Sequence, residues 1–240
     1  MPRRIIGVLG TPTVDDENDS VIALYNDYKN VIVKNDCIPF MISPLLDINY
    51  YNTKLSEIPE LTPKEKEIYD EMIDICDGIL IPGGYKMYNF ERYIIQRAIE
   101  KDMPVLGICK GMQLLASIDN GKECNQLINT SIEHRQKGKK YVHRLHIINE
   151  TLLSSIITEE TILVNSKHRY HVTETNKFKV SAYSEDGLIE AIEMPNKKFV
   201  LGVQWHPEKM YYYDENADKI FKCFVKEVNN YSKVKTIKGK

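Results

Sequence analysis

Pro104-Val105-Leu106-Gly107-Ile108-Cys109-Lys110-Gly111-Met112-Gln113 is the stretch on which the reading of this chain turns. A short apolar run (Val105, Leu106, Ile108) delivers one cysteine between Gly107 and Gly111, and a helix-compatible run follows. The order is strand, tight turn, helix, with G-x-C-x-G in place of the G-x-S-x-G of a nucleophile elbow. Such a turn crowds the backbone and favours residues without a β-carbon on either side of the cysteine, with φ > 0 open to them. It would lift the sulfur above a sheet and aim the next helix's N-terminus at it, where unpaired N–H groups and the helix dipole favour a thiolate. A buried strand cysteine beside two turn glycines is the alternative that this stretch alone leaves open.

The flanking sequence supplies the sheet. Residues 5–10 are a continuous apolar run closed by Gly10, the pattern of a strand buried on both faces. A polar turn at 11–19 precedes a helical pattern with Val21, Ile22, Leu24, Tyr25, Tyr28, Val31 and Ile32 on one broad face. Residues 37–43, apolar around Pro39, read as a second strand, so the chain opens β-α-β as a parallel sheet does. Residues 44–61 are a long, tyrosine-dotted connection without a regular pattern. Thr62-Pro63-Lys64-Glu65 is a capping box with proline at the first helical position, which starts a helix running to about Cys76. A buried strand at 78–81 ends at Pro82-Gly83-Gly84, and a further helix is predicted over 89–101.

Past the elbow helix, residues 120–141 are polar, with Arg135, Lys137, Lys139 and Lys140 close together; they read as a solvated loop, anion binding being the functional alternative. Short strands at 145–148, 162–164, 179–183, 188–194 and 200–205 are separated by turn signals such as Glu185-Asp186-Gly187 and Pro195-Asn196. An amphipathic helix with Ile220, Phe221, Phe224, Val225 and Val228 closes the pattern. The expected architecture is α/β, a mostly parallel central sheet with helices on both faces and added antiparallel strands. It is read as one domain over 1–232, followed by a basic, frayed tail at 233–240 that carries Lys233, Lys235, Lys238 and Lys240.

Bulk properties exclude several classes. A net charge of −2 gives no electrostatic reason to expect nucleic acid or an anionic membrane as partner. No apolar run approaches the roughly 20 residues that span a bilayer, and Met-Pro-Arg-Arg at the start leads straight into a strand without a signal-peptide core. The 5 cysteines, odd in number and without CxxC spacing, suggest neither a disulfide framework nor a zinc site, so a reducing cytoplasm is expected.

A second stretch decides the chemistry: Val200-Leu201-Gly202-Val203-Gln204-Trp205-His206-Pro207-Glu208. A strand ends at His206, and Glu208 follows with Pro207 fixing the backbone between them. A thiol nucleophile needs a base beside it and a third group that orients the base and stabilises its charged form. Catalytic groups in open parallel sheets gather at the carboxyl edge, where His206 can face Cys109, and Glu208 is near enough to bond the other imidazole nitrogen. His134, His143, His146, His168 and His171 are read as satisfied structural residues, His168 with least support. No H-x-x-x-H or paired-cysteine spacing argues for a metal, so neither metal nor cofactor is expected.

Together, the elbow and Gly202-Val203-Gln204-Trp205-His206-Pro207-Glu208 resemble the class I glutamine amidotransferase-like superfamily. Within it the chain is most similar to the peptidase C26 branch, the gamma-glutamyl-gamma-aminobutyrate hydrolases. Ile81-Pro82-Gly83-Gly84 resembles that family's oxyanion segment, Val164-Asn165-Ser166-Lys167-His168 its loop before the late strands, and Asp186-Gly187-Leu188-Ile189-Glu190-Ala191-Ile192-Glu193 its hairpin. The similarity runs over about 4–228. It implies a flavodoxin-like three-layer sandwich and a Cys109–His206–Glu208 triad. Backbone N–H groups of Gly84 (or Gly83) and Lys110 would form the oxyanion hole, and Gln113, Asn165, Ser166 and His168 would contact substrate. The implied reaction is hydrolysis of a γ-glutamyl amide through a γ-glutamyl thioester.

The chain also departs from the family. Gly84 is followed only by Tyr85-Lys86-Met87-Tyr88-Asn89 before the next helix, where relatives carry a longer segment with an aspartate and a proline-tyrosine pair beside the substrate. Tyr170 stands where the family has glutamine, and Lys110 replaces the elbow's arginine. Tyr85, Tyr88, Tyr170 and Tyr211-Tyr212-Tyr213 are candidates for a different leaving-group pocket, half-buried structural tyrosines being the alternative. The expected ligand is a small γ-glutamyl compound or glutamine. A free-standing hydrolase, a glutaminase subunit supplying ammonia to a synthetase partner, and a non-catalytic binding module are the functions to separate, with a homodimer as a further arrangement.

Overall fold

The computed structural model describes residues 2–120, 124–127 and 130–238. β1 (Ile5–Leu9) leads into a hairpin of β2 (Thr11–Val14) and β3 (Ser20–Ala23), then α1 (Asn26–Lys34) and β4 (Ile38–Ile42). α2 (Pro63–Ile75), β5 (Gly78–Ile81), α3 (Asn89–Glu100), β6 (Val105–Ile108) and α4 (Lys110–Asn120) follow. The rest comprises β7 (Asn125–Gln126), β8 (His143–Ile147), α5 (Leu152–Ile156), β9 (Thr161–Val164), β10 (Tyr170–His171), β11 (Lys179–Ser184), β12 (Ile189–Glu193), β13 (Val200–Val203), α6 (Pro207–Met210) and α7 (Glu215–Lys238).

The main sheet has the order β4-β1-β5-β6-β13-β12-β11-β8-β9. β4, β1, β5, β6 and β13 are parallel to one another, and β12, β11, β8 and β9 extend the sheet with antiparallel pairings. The expected α/β architecture is therefore present. β5, β6 and β13 are buried along their whole length, which is why their sequences run apolar without alternation. Successive strand residues point to opposite faces. Ile6, Val8, Leu106 and Ile108 thus pack with α1 and α7, while Ile79, Ile81 and Val105 pack with α2, α3 and α4. α2 starts as read: Glu65 N–H donates to Thr62 Oγ1 at 3.2 Å and Thr62 N–H to Glu65 Oε2 at 2.8 Å. No helix of the described residues is long and apolar enough to cross a membrane.

Two expectations are corrected. The helix predicted across Val21 to Ile32 is β3 followed by a shorter α1. Val21 and Ile22 pair with Thr13 and Pro12, and Asp15 closes the turn by accepting N–H bonds from Glu17 and Asp19 at 3.0 and 2.9 Å. β-Branched residues fit either period over so short a span, and the neighbouring strand decided it. The frayed tail is helical as far as Lys238; Lys235 Nζ donates to the Cys76 carbonyl at 2.9 Å, and residues 239–240 lie outside the described residues. Of the 120–141 segment, residues 121–123 and 128–129 also lie outside them, while β7 pairs with β10.

Candidate active site

β6 delivers Cys109 to the carboxyl edge of the sheet, and α4 begins at the next residue. Cys109 sits at φ +55°, in the left-handed region that a side chain rarely occupies. Its N–H donates to Val203 O at 2.8 Å, and its carbonyl accepts the first helical bond of α4 from Gln113 N–H at 3.2 Å. The flanking glycines serve close approach rather than positive φ. A Cβ on Gly111 would lie 2.4 Å from Ile81 O, and one on Gly107 would lie 2.7 Å from the Gly111 carbonyl carbon. The elbow is thus pressed onto β5, with the unpaired first-turn N–H groups of α4 beside the sulfur.

His206 follows the end of β13, and its Nδ1 lies 2.7 Å from Glu208 Oε1. Asn165 holds the His206 backbone from both sides, accepting from its N–H at 2.8 Å and donating to its carbonyl at 2.9 Å. Burial alone would push the Cys109 thiol up, yet the His206 charge and hydrogen bond outweigh it and hold the thiol below its usual range. Burial alone would likewise discharge His206; Glu208 and Cys109 reverse this and push its pKa up to about 10. Each residue is among the causes of the other's shift, so Cys109 and His206 are coupled, and their surroundings favour the thiolate–imidazolium form.

These groups lie in a cleft of about 570 Å³. The β2–β3 hairpin contributes Thr11, Pro12 and Thr13, the segment after β5 contributes Gly83 to Lys86 and Tyr88, and Tyr25, Tyr28, Tyr51 and Lys167 complete much of the wall. Residues 44–61, patternless in the sequence, brace the shortened segment: Lys86 Nζ donates to the Tyr51 and Thr53 carbonyls at 2.5 and 3.0 Å, and Tyr88 Oη to the Tyr50 carbonyl at 3.2 Å. Of the tyrosines singled out in the sequence, Tyr85 and Tyr88 face this cleft, whereas Tyr170, Tyr211, Tyr212 and Tyr213 do not.

The two glycines of the oxyanion segment are not equivalent. Gly83 N–H donates to Tyr28 Oη at 2.9 Å, so it is already committed. Burial and the nearby Glu208 charge keep Tyr28 a neutral phenol. Gly84 N–H has no partner among the described residues and packs beside Lys110. The Lys110 side chain, read from the sequence only for its backbone, forms a buried ion pair with Glu91, whose other oxygen caps α3 through Tyr88 N–H at 2.9 Å. The pair joins the elbow to the loop carrying Gly84.

The four residues expected against substrate do not line this cleft. Gln113 is buried and donates to the Tyr170 carbonyl at 2.9 Å and Gln204 Oε1 at 3.1 Å. Asn165 is bonded to His206, and Ser166 Oγ donates to the His134 carbonyl at 2.7 Å; both edge a shallower depression beside His206. His168 is buried with His134, His143 and Glu190, so the histidines read as separate structural residues converge. Their neighbour Lys167 lines the cleft instead, with no partner for its ammonium among the described residues. A motif locates a loop, but which of its side chains turn toward the cleft depends on backbone direction that the motif does not carry.

The family model of peptidase C26 matches residues 88–208. A glutamine amidotransferase-like protein of Rickettsia prowazekii (strain Madrid E) is 33% identical over 70% of this chain and 83% of its own length. The gamma-glutamyl-gamma-aminobutyrate hydrolase of Escherichia coli (strain K12) is 29% identical over 60% of this chain and 68% of its own. Among solved structures, the CTPS glutaminase domain of Trypanosoma brucei with bound acivicin superposes with a TM-score of 0.60 at 17% identity, covering 95% of this chain and 94% of that one, a likeness of fold. The flavodoxin-like sandwich of the class I glutamine amidotransferases is the fold of this chain.

Proposed function

This chain belongs to the peptidase C26 family of glutamine amidotransferase-like hydrolases, and on that premise we propose that it cleaves a γ-glutamyl amide bond through a γ-glutamyl thioester on Cys109. The observation that carries the proposal is Cys109, held at φ +55° on the cleft floor and charge-paired with a His206 that Glu208 orients. The thiolate attacks the side-chain carbonyl carbon of the γ-glutamyl group, forming the S–C bond and moving the carbonyl electron pair onto oxygen. Gly84 and Lys110 N–H groups face the oxyanion, each such donor being worth about 3 kcal/mol in the transition state. Collapse breaks the C–N bond while His206 donates its proton to the leaving amine. Water, giving a proton to the now neutral imidazole, attacks the thioester, releases glutamate and restores the ion pair. Among the described residues Lys86, Lys110 and Lys209 at the cleft are held by carbonyls, Glu91 and Asp27, which leaves Lys167 for the α-carboxylate, and Tyr51, Tyr85 and Tyr88 wall the amine side.

A second reading, a glutaminase that passes ammonia to a synthetase partner, is favoured by the shortened segment after Gly84, which leaves Tyr85 74% exposed at the cleft. Mass spectrometry of products from a panel of γ-glutamyl amines and glutamine separates the two. Multiple turnovers of γ-glutamyl amines by the isolated protein, lost in Cys109→Ala with its melting curve unchanged, are the expected result. Turnover confined to glutamine, and raised by an ammonia-accepting synthetase, would move the assignment to the second reading. Failure of a glutamine-mimicking electrophile to label Cys109 would remove both, leaving a binding module.

A further inference from the structure

Glu190 is wholly buried on β12, yet neither of its carboxylate oxygens has a hydrogen-bond partner among the described residues. Its strand neighbour Glu193 shows how such a group is ordinarily satisfied, accepting from the α5 N–H groups of Leu152 and Leu153 at 2.7 and 3.1 Å. An uncompensated buried carboxylate is costly. What faces Glu190 instead is three histidines. His134 Nδ1, His143 Nε2 and His168 Nε2 lie 3.6, 3.8 and 3.3 Å from Glu190 Oε1.

The other nitrogen of each ring fixes its tautomer. His134 Nε2 faces the Asp186 carboxylate at 3.0 Å, His143 Nδ1 the Arg144 carbonyl at 3.2 Å, and His168 Nδ1 the Tyr170 carbonyl at 3.0 Å. All three partners are acceptors, so those nitrogens carry the hydrogens and, in neutral rings, the inward nitrogens present lone pairs. Ser166 Oγ, 3.4 Å from His134 Nδ1, spends its hydrogen on the His134 carbonyl. Four buried lone-pair donors thus lie within 4.8 Å of one another. We propose that His134, His143, His168 and Glu190 bind a divalent transition-metal ion of the Zn²⁺ class.

The geometry suits that ion. Tetrahedral zinc with ligands at about 2.0–2.1 Å sets donor atoms roughly 3.3 Å apart, and the donor atoms here all lie within 4.8 Å of one another before any contraction. Three imidazoles favour zinc and its neighbours over magnesium or calcium. Four protein ligands, all buried, make a closed structural site rather than a reactive one. Asp186 behind His134 is the orienting carboxylate that metal-bound histidines usually have. The ion would fasten β8, β12 and the 165–171 loop together, and that loop carries the Asn165 that grips His206.

Co²⁺ is the probe. The Cys109→Ser chain, which keeps cobalt off the elbow thiol, is freed of metal by chelator and titrated with Co²⁺. The expected result is one equivalent bound with the strong visible d–d bands of four-coordinate cobalt, displaced by Zn²⁺, and a melting temperature that Zn²⁺ raises. Glu190→Gln should lose the bands yet fold, because its amide can donate to the imidazole lone pairs. Asp186→Asn should weaken binding about 10–100-fold, and it carries the comparison if Glu190→Gln does not fold. A folded Cys109→Ser chain that shows no visible bands, the weak bands of six-coordinate cobalt, or unchanged binding after either substitution would overturn the assignment in favour of a proton shared between His168 and Glu190.

Discussion

Gly111→Ala tests whether the contact between the elbow and β5 sets the position of the sulfur. The new Cβ would lie 2.4 Å from Ile81 O, about 1 Å short of ordinary van der Waals contact at 3.4 Å. The obstacle is backbone in a fully buried central strand, paired to β1 and β6, so it cannot swing aside as a side chain would. α4 must ride away from the sheet and carry Cys109 and the Lys110 N–H with it. A displacement near 1 Å at reacting groups costs about 10²-fold in rate. Overpacking costs about 1–3 kcal/mol, and replacing glycine in a helix returns about 0.5–1 kcal/mol. The net loss, up to about 2.5 kcal/mol, corresponds to a fall of up to roughly 10 °C in melting temperature for a chain of this size. Calorimetry, steady-state hydrolysis of a γ-glutamyl amine and the alkylation rate of Cys109 by a glutamine-mimicking electrophile give the three readouts. The expected variant is folded, melts lower, and loses rate in acylation. A melting temperature and kcat/KM indistinguishable from those of the parent would refute the reasoning.

Other perturbations separate the remaining roles. Glu208→Gln keeps the shape beside His206 but removes the charge at 2.7 Å, so kcat should fall about 10³–10⁴-fold, as when the orienting carboxylate of a serine-protease triad is neutralised. The parent pH–rate profile should have two limbs. It should fall on the acid side where the Cys109 thiolate is protonated, below the usual thiol range, and on the basic side as His206 loses its proton near about 10. In Glu208→Gln the basic limb should move to lower pH, and an unmoved limb would detach Glu208 from His206. Lys110→Met strands Glu91 in the interior and should cost about 3–5 kcal/mol in urea unfolding. Adding Glu91→Gln, which still caps Tyr88 N–H, should recover most of it, and failure to do so would deny the pair its role. Lys167→Met should raise KM for γ-glutamyl substrates with little change in kcat; the reverse pattern would remove Lys167 from α-carboxylate binding.

The part of the site that could be read in the sequence is the part whose geometry is local. Gly107 to Gly111 and His206 to Glu208 each lie within a single turn of chain, so residue spacing alone fixes which side chains meet. The buried parallel strands were legible for a similar reason, since burial on both faces writes itself as an uninterrupted apolar run. The β2–β3 hairpin was not, because Val21 and Ile22 satisfy a helical face as well as a strand until Thr13 and Pro12 are known to lie opposite them. Nor were the Lys110–Glu91 pair or the Tyr28–Gly83 bond, whose partners meet only through the sheet. The histidine cluster draws on residues 134, 143, 168 and 190, on different elements, and no spacing rule reaches that far. One signal was present: Glu190 falls on a strand otherwise apolar at Ile189, Ala191 and Ile192, where an acid needs a specific partner.

The loop after β9 unites the two halves of this molecule that the sequence kept apart. Asn165 clamps the His206 backbone, Ser166 is bonded to His134, His168 belongs to the cluster around Glu190, and the Tyr170 carbonyl accepts from both His168 and Gln113. Gln113 lies in the first turns of the elbow helix, so the loop is bonded to both helix and histidine. Lys167 of this loop lines the cleft, while its neighbours face inward and tie the loop to both Cys109's helix and His206. Alignment of a thiolate with an imidazolium tolerates displacements of well under about 1 Å. A loop whose regular structure is limited to the two residues of β10 can hold that tolerance only if its side chains are anchored on rigid elements, and β8, β12 and α4 supply the anchors. The residues that resemblance places against the substrate are therefore bonded to the frame around it, to His206, the elbow helix and the histidine cluster.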